Sequence, residues 1–166
     1  MRGKLSIFAT LFLSTIGIGL AQTDTSKQLI TAPPVSSSEE QQFQQDIKDV
    51  HFDFDQAVLT AEDRTILASD ADWLKAHPNL LVTLEGDADE RGDIVYNVVL
   101  SGERASATKD ALVELGVPAD RIVFATGWGK LYPVCSQSDE SCWSQNRRTH
   151  FEIWPPAEQP AQVALR

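Results

Sequence analysis

From Val50 the chain alternates in character: Val50, Phe52 and Phe54 are apolar, His51, Asp53 and Asp55 polar. A period of two predicts a half-buried strand. After Thr60 the period lengthens, with Leu67, Ala71 and Leu74 recurring at helical spacing. Thr60 can serve as N-cap, Glu62 and Asp63 sit in the first turn, and Pro78 ends the element. Leu80 to Leu84 reads as a second strand and Ile94 to Leu115 as a long helix stopped by Gly116 and Pro118. A third strand is expected from Arg121 to Thr126, broken by Gly127-Trp128-Gly129. A long loop with Pro133 then leads to a last strand, Arg148 to Trp154, closed by Pro155-Pro156. The order βαβαββ predicts an α/β fold of the two-layer α+β sandwich kind, two helices on one face of a mixed sheet, with one domain over 49–155.

The flanks read differently. Arg2 and Lys4 precede an apolar run from Leu5 to Leu20 that ends in Gly19-Leu20-Ala21, which predicts a signal peptide over 1–21. The run is shorter than the roughly 20 apolar residues of a spanning helix, and an uncleaved membrane anchor is the competing reading. Nothing after Ala21 predicts a transmembrane span. Residues 22–48 are rich in Ser, Thr, Gln and Pro and predict a disordered polar linker, with at most a short helical patch around Glu39 to Ile47. A flexible tail is expected over 156–166.

A formal charge of −10 excludes nucleic acid as the natural partner, because phosphate binding needs a basic surface, and it disfavours anionic lipid headgroups. Export favours a disulfide between Cys135 and Cys142, worth about 2 to 3 kcal/mol for so short a loop. The cysteine spacing does not suit a structural zinc site, and His51, His77 and His150 are scattered, so no metal or cofactor is expected. No Ser-His-Asp set or cysteine nucleophile points to an enzyme.

The unusual chemistry lies in Glu85-Gly86-Asp87-Ala88-Asp89-Glu90-Arg91-Gly92-Asp93, five carboxylates and one guanidinium in nine residues. A paired-carboxylate hydrolase needs an apolar pocket that raises one acid, and this polar, glycine-flanked loop offers none. A calcium loop of the EF-hand type fails at its glycine and its terminal glutamate. The remaining reading is a binding loop ahead of a helix, with backbone N–H groups for an anion and a carboxylate for a cation. The tripeptide Arg91-Gly92-Asp93 suggests integrin adhesion only when taken out of this context.

Downstream follow Tyr96-Asn97, Leu100-Ser101-Gly102-Glu103-Arg104-Ala105, Gly127-Trp128-Gly129 and Asn146-Arg147-Arg148. With the acidic loop and the opening Phe52-Asp53-Phe54-Asp55, this set resembles the OmpA-like peptidoglycan-binding domain, in the form of its peptidoglycan-associated lipoprotein branch. The resemblance runs from Val50 to Trp154. It implies non-covalent binding of peptidoglycan through the diaminopimelate of the peptide stem, without enzymatic activity, in a protein of the periplasm or outer membrane. Matched motif by motif, the family's contacts fall on Asp89 for an ammonium and Arg104 for a carboxylate, whose planar fork suits it. Phe54 and Asp55 would form the opposite wall, and Asn97 and Leu100 the helix contacts. Phe54 in the core, Asp55 in a turn and Leu100 in packing are the structural alternatives. Asn146, Arg147 and Arg148 are expected to tie the last loop to the acidic segment. Truncating Arg104 to alanine is expected to remove binding and spare the fold. A Tol-type protein partner is the alternative function that the resemblance implies.

Two positions depart from the family's pattern. Asp87 stands where relatives often carry a neutral residue, which predicts a second negative charge that raises the pKa of Asp89 or strengthens its hold on a cation. Gln22 follows Ala21 where a lipoprotein carries its lipidated cysteine, so no lipid anchor is expected there.

Overall fold

A computed structural model describes residues 35–154. The expected signal peptide, the linker up to residue 34 and the tail lie outside the described residues. The elements are α1 (Ser37–Asp46), β1 (Val50–His51), α2 (Ala61–Ala76), β2 (Leu81–Asp87), α3 (Ile94–Glu114), β3 (Ile122–Gly129), α4 (Glu140–Asn146) and β4 (Arg148–Trp154). They build a mixed sheet in the order β1-β4-β2-β3. β2 and β3 run parallel, joined through α3, and β4 enters antiparallel between β1 and β2.

The elements form for the reasons their sequences supply. Thr60 caps α2 by accepting the Asp63 N–H at 3.2 Å, and Asp63 returns a carboxylate to the Thr60 N–H at 2.8 Å. Leu67, Ala71 and Leu74 on that helix are fully buried. α3 packs on β2, β3 and β4, while α2 packs against α3 and β1. Val82, Leu84, Phe151 and Ile153 fill the space beneath the helices, with Leu112 and Val117 joining them. Burial of this set from water is the main stabilising term of the fold, at roughly 25 cal/mol per Å² of apolar surface.

Several boundaries differ from expectation. The short helical patch anticipated around Glu39 to Ile47 is a helix over Ser37–Asp46, starting two residues earlier, with a complete capping box between Ser36 and Glu39. Phe43 and Ile47 are buried on the domain. Phe43 meets the Trp73 ring edge to face at 5.7 Å, and Trp73 Nε1 donates to Asp46 at 3.0 Å. Two apolar residues four apart suffice to dock a polar helix whose end is capped. β1 stops at His51, so Phe52 is buried while Phe54 lies 57% exposed on the following turn. Arg121 belongs to a 3-10 turn (Ala119–Arg121) rather than to β3, and α4 occupies the loop expected to be irregular. Buried Arg121 donates to the carbonyls of Leu74, His77 and Leu80 at 2.6 to 2.8 Å, which satisfies the C-terminal end of α2.

β2 and β3 each run past their expected ends because Gly86 and Gly127 pair in the sheet. A Cβ on Gly86 would lie 1.9 Å from the Ser101 carbonyl oxygen, and one on Gly127 would lie 2.3 Å from the Gly102 nitrogen. The backbone of α3 therefore rests directly on the two parallel strands. This close approach sets the first three turns of α3 beside the loop that leaves β2.

Candidate functional site

A pocket opens where four pieces of chain meet: the turn after β1, the loop after β2, the first turns of α3 and the end of α4. Phe54, Asp55, Asp89, Asn97, Leu100 and Arg104, all expected as contacts, line it together. Ala88, Arg91, Gly92, Tyr96 and Arg147 complete the wall.

The loop after β2 is held from several sides. Ala88 N–H donates to the Gly129 carbonyl at 2.7 Å, and Lys130 Nζ reaches the carbonyls of Glu90 and Gly92 at 2.9 and 2.8 Å. Asn97 donates its side-chain amide to the Arg91 carbonyl at 2.7 Å. Asp93 is the N-cap of α3 and accepts from the N–H groups of Val95 and Tyr96. The helix end that was expected to offer its N–H groups to an anion is thus closed by the chain's own carboxylate.

Asp89 is buried and accepts four hydrogen bonds. Its Oδ1 takes the backbone N–H of Arg91 at 3.1 Å and Arg91 Nε at 3.0 Å; Oδ2 takes Arg91 Nη2 at 2.7 Å and Arg147 Nη1 at 3.3 Å. Four bonds fill the acceptor capacity of a carboxylate. Burial resists its ionisation, yet the bonds from Arg91 and Arg147 prevail and hold the carboxyl below its ordinary 3.8. The Arg91 guanidinium lies 4.1 Å from the ring centres of both Phe54 and Trp143, a cation between two aromatic faces.

Arg104 is fully buried. It donates to the carbonyls of Gln56 at 2.8 Å, Asp87 at 2.8 Å and Asp53 at 3.2 Å, so one side chain joins the turn after β1 to the end of β2. These bonds use three of its five N–H groups. Among the described residues no carboxylate forms an ion pair with it. Burial and the neighbouring Arg147 lower its pKa to about 10, which leaves it charged at neutral pH. These three bonds make Arg104 a tie within the fold as well as a pocket wall, which argues against the expectation that its truncation spares the fold.

Asp55 faces the same space from the opposite wall. Its backbone is left-handed, φ 59°, a conformation that aspartate tolerates better than most residues. Its carboxylate accepts from the Tyr96 hydroxyl at 2.5 Å, and no cationic side chain pairs with it among the described residues. The turn and the wall are therefore roles of one residue. Phe54 is an exposed wall, not core, and Leu100 lines the pocket from a largely buried position.

The supporting residues divide. Arg147 ties the acidic segment down, through Asp89, the Phe52 carbonyl at 2.9 Å and Glu140 at 2.6 Å. Asn146 instead holds the loop around the Cys135–Cys142 disulfide, accepting from the N–H groups of Val134 and Cys135 and donating to the Cys135 carbonyl. Arg148 bridges Asp87 at 3.0 Å and Asp49 at 3.1 Å, away from the pocket. The extra charge of Asp87 is therefore spent on Arg148, and Asp89 is not raised by it. Sequence reasoning missed Arg91 and Tyr96 as pocket walls, although both lie within the motifs quoted. Trp143 carried no signal, because the aromatic sandwich needs the fold of α4 to bring it to Arg91.

A model of the OmpA family matches residues 51–148. The peptidoglycan-associated lipoprotein of Agrobacterium fabrum is 46% identical over 99 residues, 60% of this chain and 55% of that protein. Outer membrane porin F of Pseudomonas aeruginosa is 37% identical over 106 residues, 63% of this chain and 30% of that protein. The chain thus spans about half the length of the lipoproteins it matches. The crystal structure of the peptidoglycan-associated lipoprotein from Burkholderia pseudomallei aligns with a TM-score of 0.60 at 37% identity, covering 63% of this chain and 88% of that one. The C-terminal domain of Helicobacter pylori MotB aligns at 0.61 with 15% identity, covering 67% and 87%, a likeness of fold alone. Since the matched stretch contains every residue of the pocket wall, from Phe54 to Arg147, the chain belongs to the OmpA family.

Proposed function

We propose that the pocket binds peptidoglycan without covalent chemistry, by taking the free amino-acid end of diaminopimelate on the peptide stem. The observation that carries this reading is a pair of unmatched charges. Arg104 is a buried guanidinium with no carboxylate partner, and Asp55 is a carboxylate with no cationic partner, on opposite walls of one pocket. A zwitterion matches both. Its carboxylate is assigned to the remaining N–H groups of Arg104, and its ammonium to Asp55. Asp89 joins the ammonium when Arg91 yields one of its contacts, and otherwise fixes Arg91 and Arg147 in the wall. Asn97 and Leu100 shape the side from α3. The names of the relatives support peptidoglycan association. The role that follows is a non-enzymatic link between the envelope and the wall.

Co-sedimentation with purified sacculi tests it. Wild type pellets and free meso-diaminopimelate competes it off, while Nα-acetyl-lysine amide, which keeps an ammonium but has no carboxylate, competes poorly. Asp55→Asn pellets weakly. Pelleting that diaminopimelate leaves untouched would remove the assignment of ligand.

A further inference from the structure

The face of the sheet turned away from the helices carries a second constellation. Period-two geometry places Thr83 and Glu85 of β2, Phe124, Thr126 and Trp128 of β3, and Glu152 and Trp154 of β4 on it. These residues line one groove of about 160 Å³. Phe124 is 51% exposed and meets Trp154 edge to face at 5.3 Å. Aromatic rings left in water on an otherwise charged sheet mark a surface with a use.

The charges on this face are matched at one end and unmatched at the other. Arg148 and His150 are consumed by Asp49 and Asp87: Arg148 bridges both, and His150 Nδ1 meets Asp49 at 2.7 Å. Thr83 pairs across from Glu152 and Glu85 across from His150, so the two glutamates are diagonal neighbours on adjacent strands. Neither glutamate forms an ion pair among the described residues. Burial and then the charge of Glu85 push the Glu152 carboxyl up, while His150, held by Asp49, opposes them only in part.

We propose that this groove docks an arginine or lysine side chain from a basic segment of a partner protein, its aliphatic stem over Phe124 and Trp154 and its head between Glu85 and Glu152. Charge complementarity selects this occupant. Two carboxylates beside aromatic faces favour a cation with an apolar body, through ring quadrupoles and ionic hydrogen bonds together. An acidic chain of formal charge −10 also draws basic partners at long range. The groove shares no residue with the pocket, so the two can act at once.

The probe is an acetylated, amidated tri-arginine peptide, followed by the indole N–H resonances of Trp128 and Trp154 in labelled protein. Saturable shifts of both are expected, with the isosteric neutral tri-citrulline peptide at least about tenfold weaker. The double variant Glu85→Gln, Glu152→Gln weakens tri-arginine by a similar factor and still pellets with sacculi, which shows that its fold and its pocket are intact. Phe124→Ala weakens it independently of charge, and Asp55→Asn leaves it unchanged. Equal binding of tri-citrulline, larger shifts with the sugar chitobiose, or wild-type affinity in the double glutamine variant would overturn the proposal.

Discussion

Arg91 spans both oxygens of Asp89, with Nε 3.0 Å from one and Nη2 2.7 Å from the other. The ionised state of Asp89 therefore depends on its neighbour at position 91. In Arg91→Ala, burial is opposed only by the backbone N–H of residue 91 and by Arg147, and the Asp89 carboxyl is expected to rise. Carboxyl carbon shifts followed through an acid titration check this. The sign for stability follows: a depressed carboxyl contributes above its unfolded pKa and loses that contribution as pH falls through the folded value. Wild type should outlast the variant most clearly near and above pH 4, and the gap should close in stronger acid.

Arg104→Ala is expected to destabilise the domain by about 3 to 5 kcal/mol, since it orphans three carbonyls at roughly 1 to 3 kcal/mol each, offset in part by removal of a buried charge. Arg104→Lys keeps a charge but not the planar fork, and should fall between the two. Urea unfolding measures both. A loss of sacculus binding in Arg104→Ala is thus informative only beside its unfolding curve, whereas Asp55→Asn, on an exposed turn, isolates the pocket.

Asp70 on α2 is fully buried, with one oxygen 3.3 Å from the Lys48 N–H and the other without a partner among the described residues. Burial pushes its carboxyl up to about 7. Asp87 moves the same way, to about 6, because burial outweighs Arg148. The native state keeps these protons where the unfolded chain has released them, so stability declines as pH rises from about 4 toward 7, each displaced unit amounting to about 1.4 kcal/mol at most. Thermal unfolding at pH 5 and pH 8 should show wild type losing Tm. Asp70→Asn should flatten most of that loss and retain the share of Asp87.

Reduction of Cys135–Cys142 should lower stability by about 2 to 3 kcal/mol on loop entropy. Asn146 holds the same loop by three hydrogen bonds, so the fold is expected to survive. A drop in Tm with unchanged sacculus pelleting is the expected pair of results under a reductant.

Gly127→Ala places a methyl group 2.3 Å from the Gly102 nitrogen, where backbone rather than a flexible side chain would have to move. Loss of soluble, cooperatively unfolding protein is expected; Gly102→Ala, whose Cβ meets nothing closer than 4.0 Å, serves as the control.

The long elements were legible in the sequence because each rests on one dominant period. Leu67, Ala71 and Leu74 announce α2, and the alternation around Phe151 and Ile153 announces β4. α1 was legible as a short helical patch but its docking was not, because its outward faces are polar and only Phe43 and Ile47 carry that signal. The pocket's membership was legible through motifs, but its internal pairing was not. That Asp89 is saturated by Arg91 and Arg147 depends on α4, which a loop rich in Ser and Gln did not suggest. Likewise Asp87 and Asp89 are two positions apart in sequence, yet their carboxylates answer to Arg148 and to Arg91 in different places. Local spacing reports density of charge, and only the turn of the chain reports which charges share a space.

The contact of α3 with Gly86 and Gly127 has a consequence for selectivity between ligands. Helix and strands meet there almost backbone to backbone, with only the small side chains of Ser101 and Ala105 beside the contact, and the Ser101 hydroxyl is itself held by the Gly129 N–H. The α3 backbone is therefore a side of the pocket that cannot retreat, and accommodation of a longer ligand falls to the more exposed side chains around it, Phe54, Tyr96 and half-buried Arg91. The same stiffness means that little motion is left to freeze when the right ligand enters.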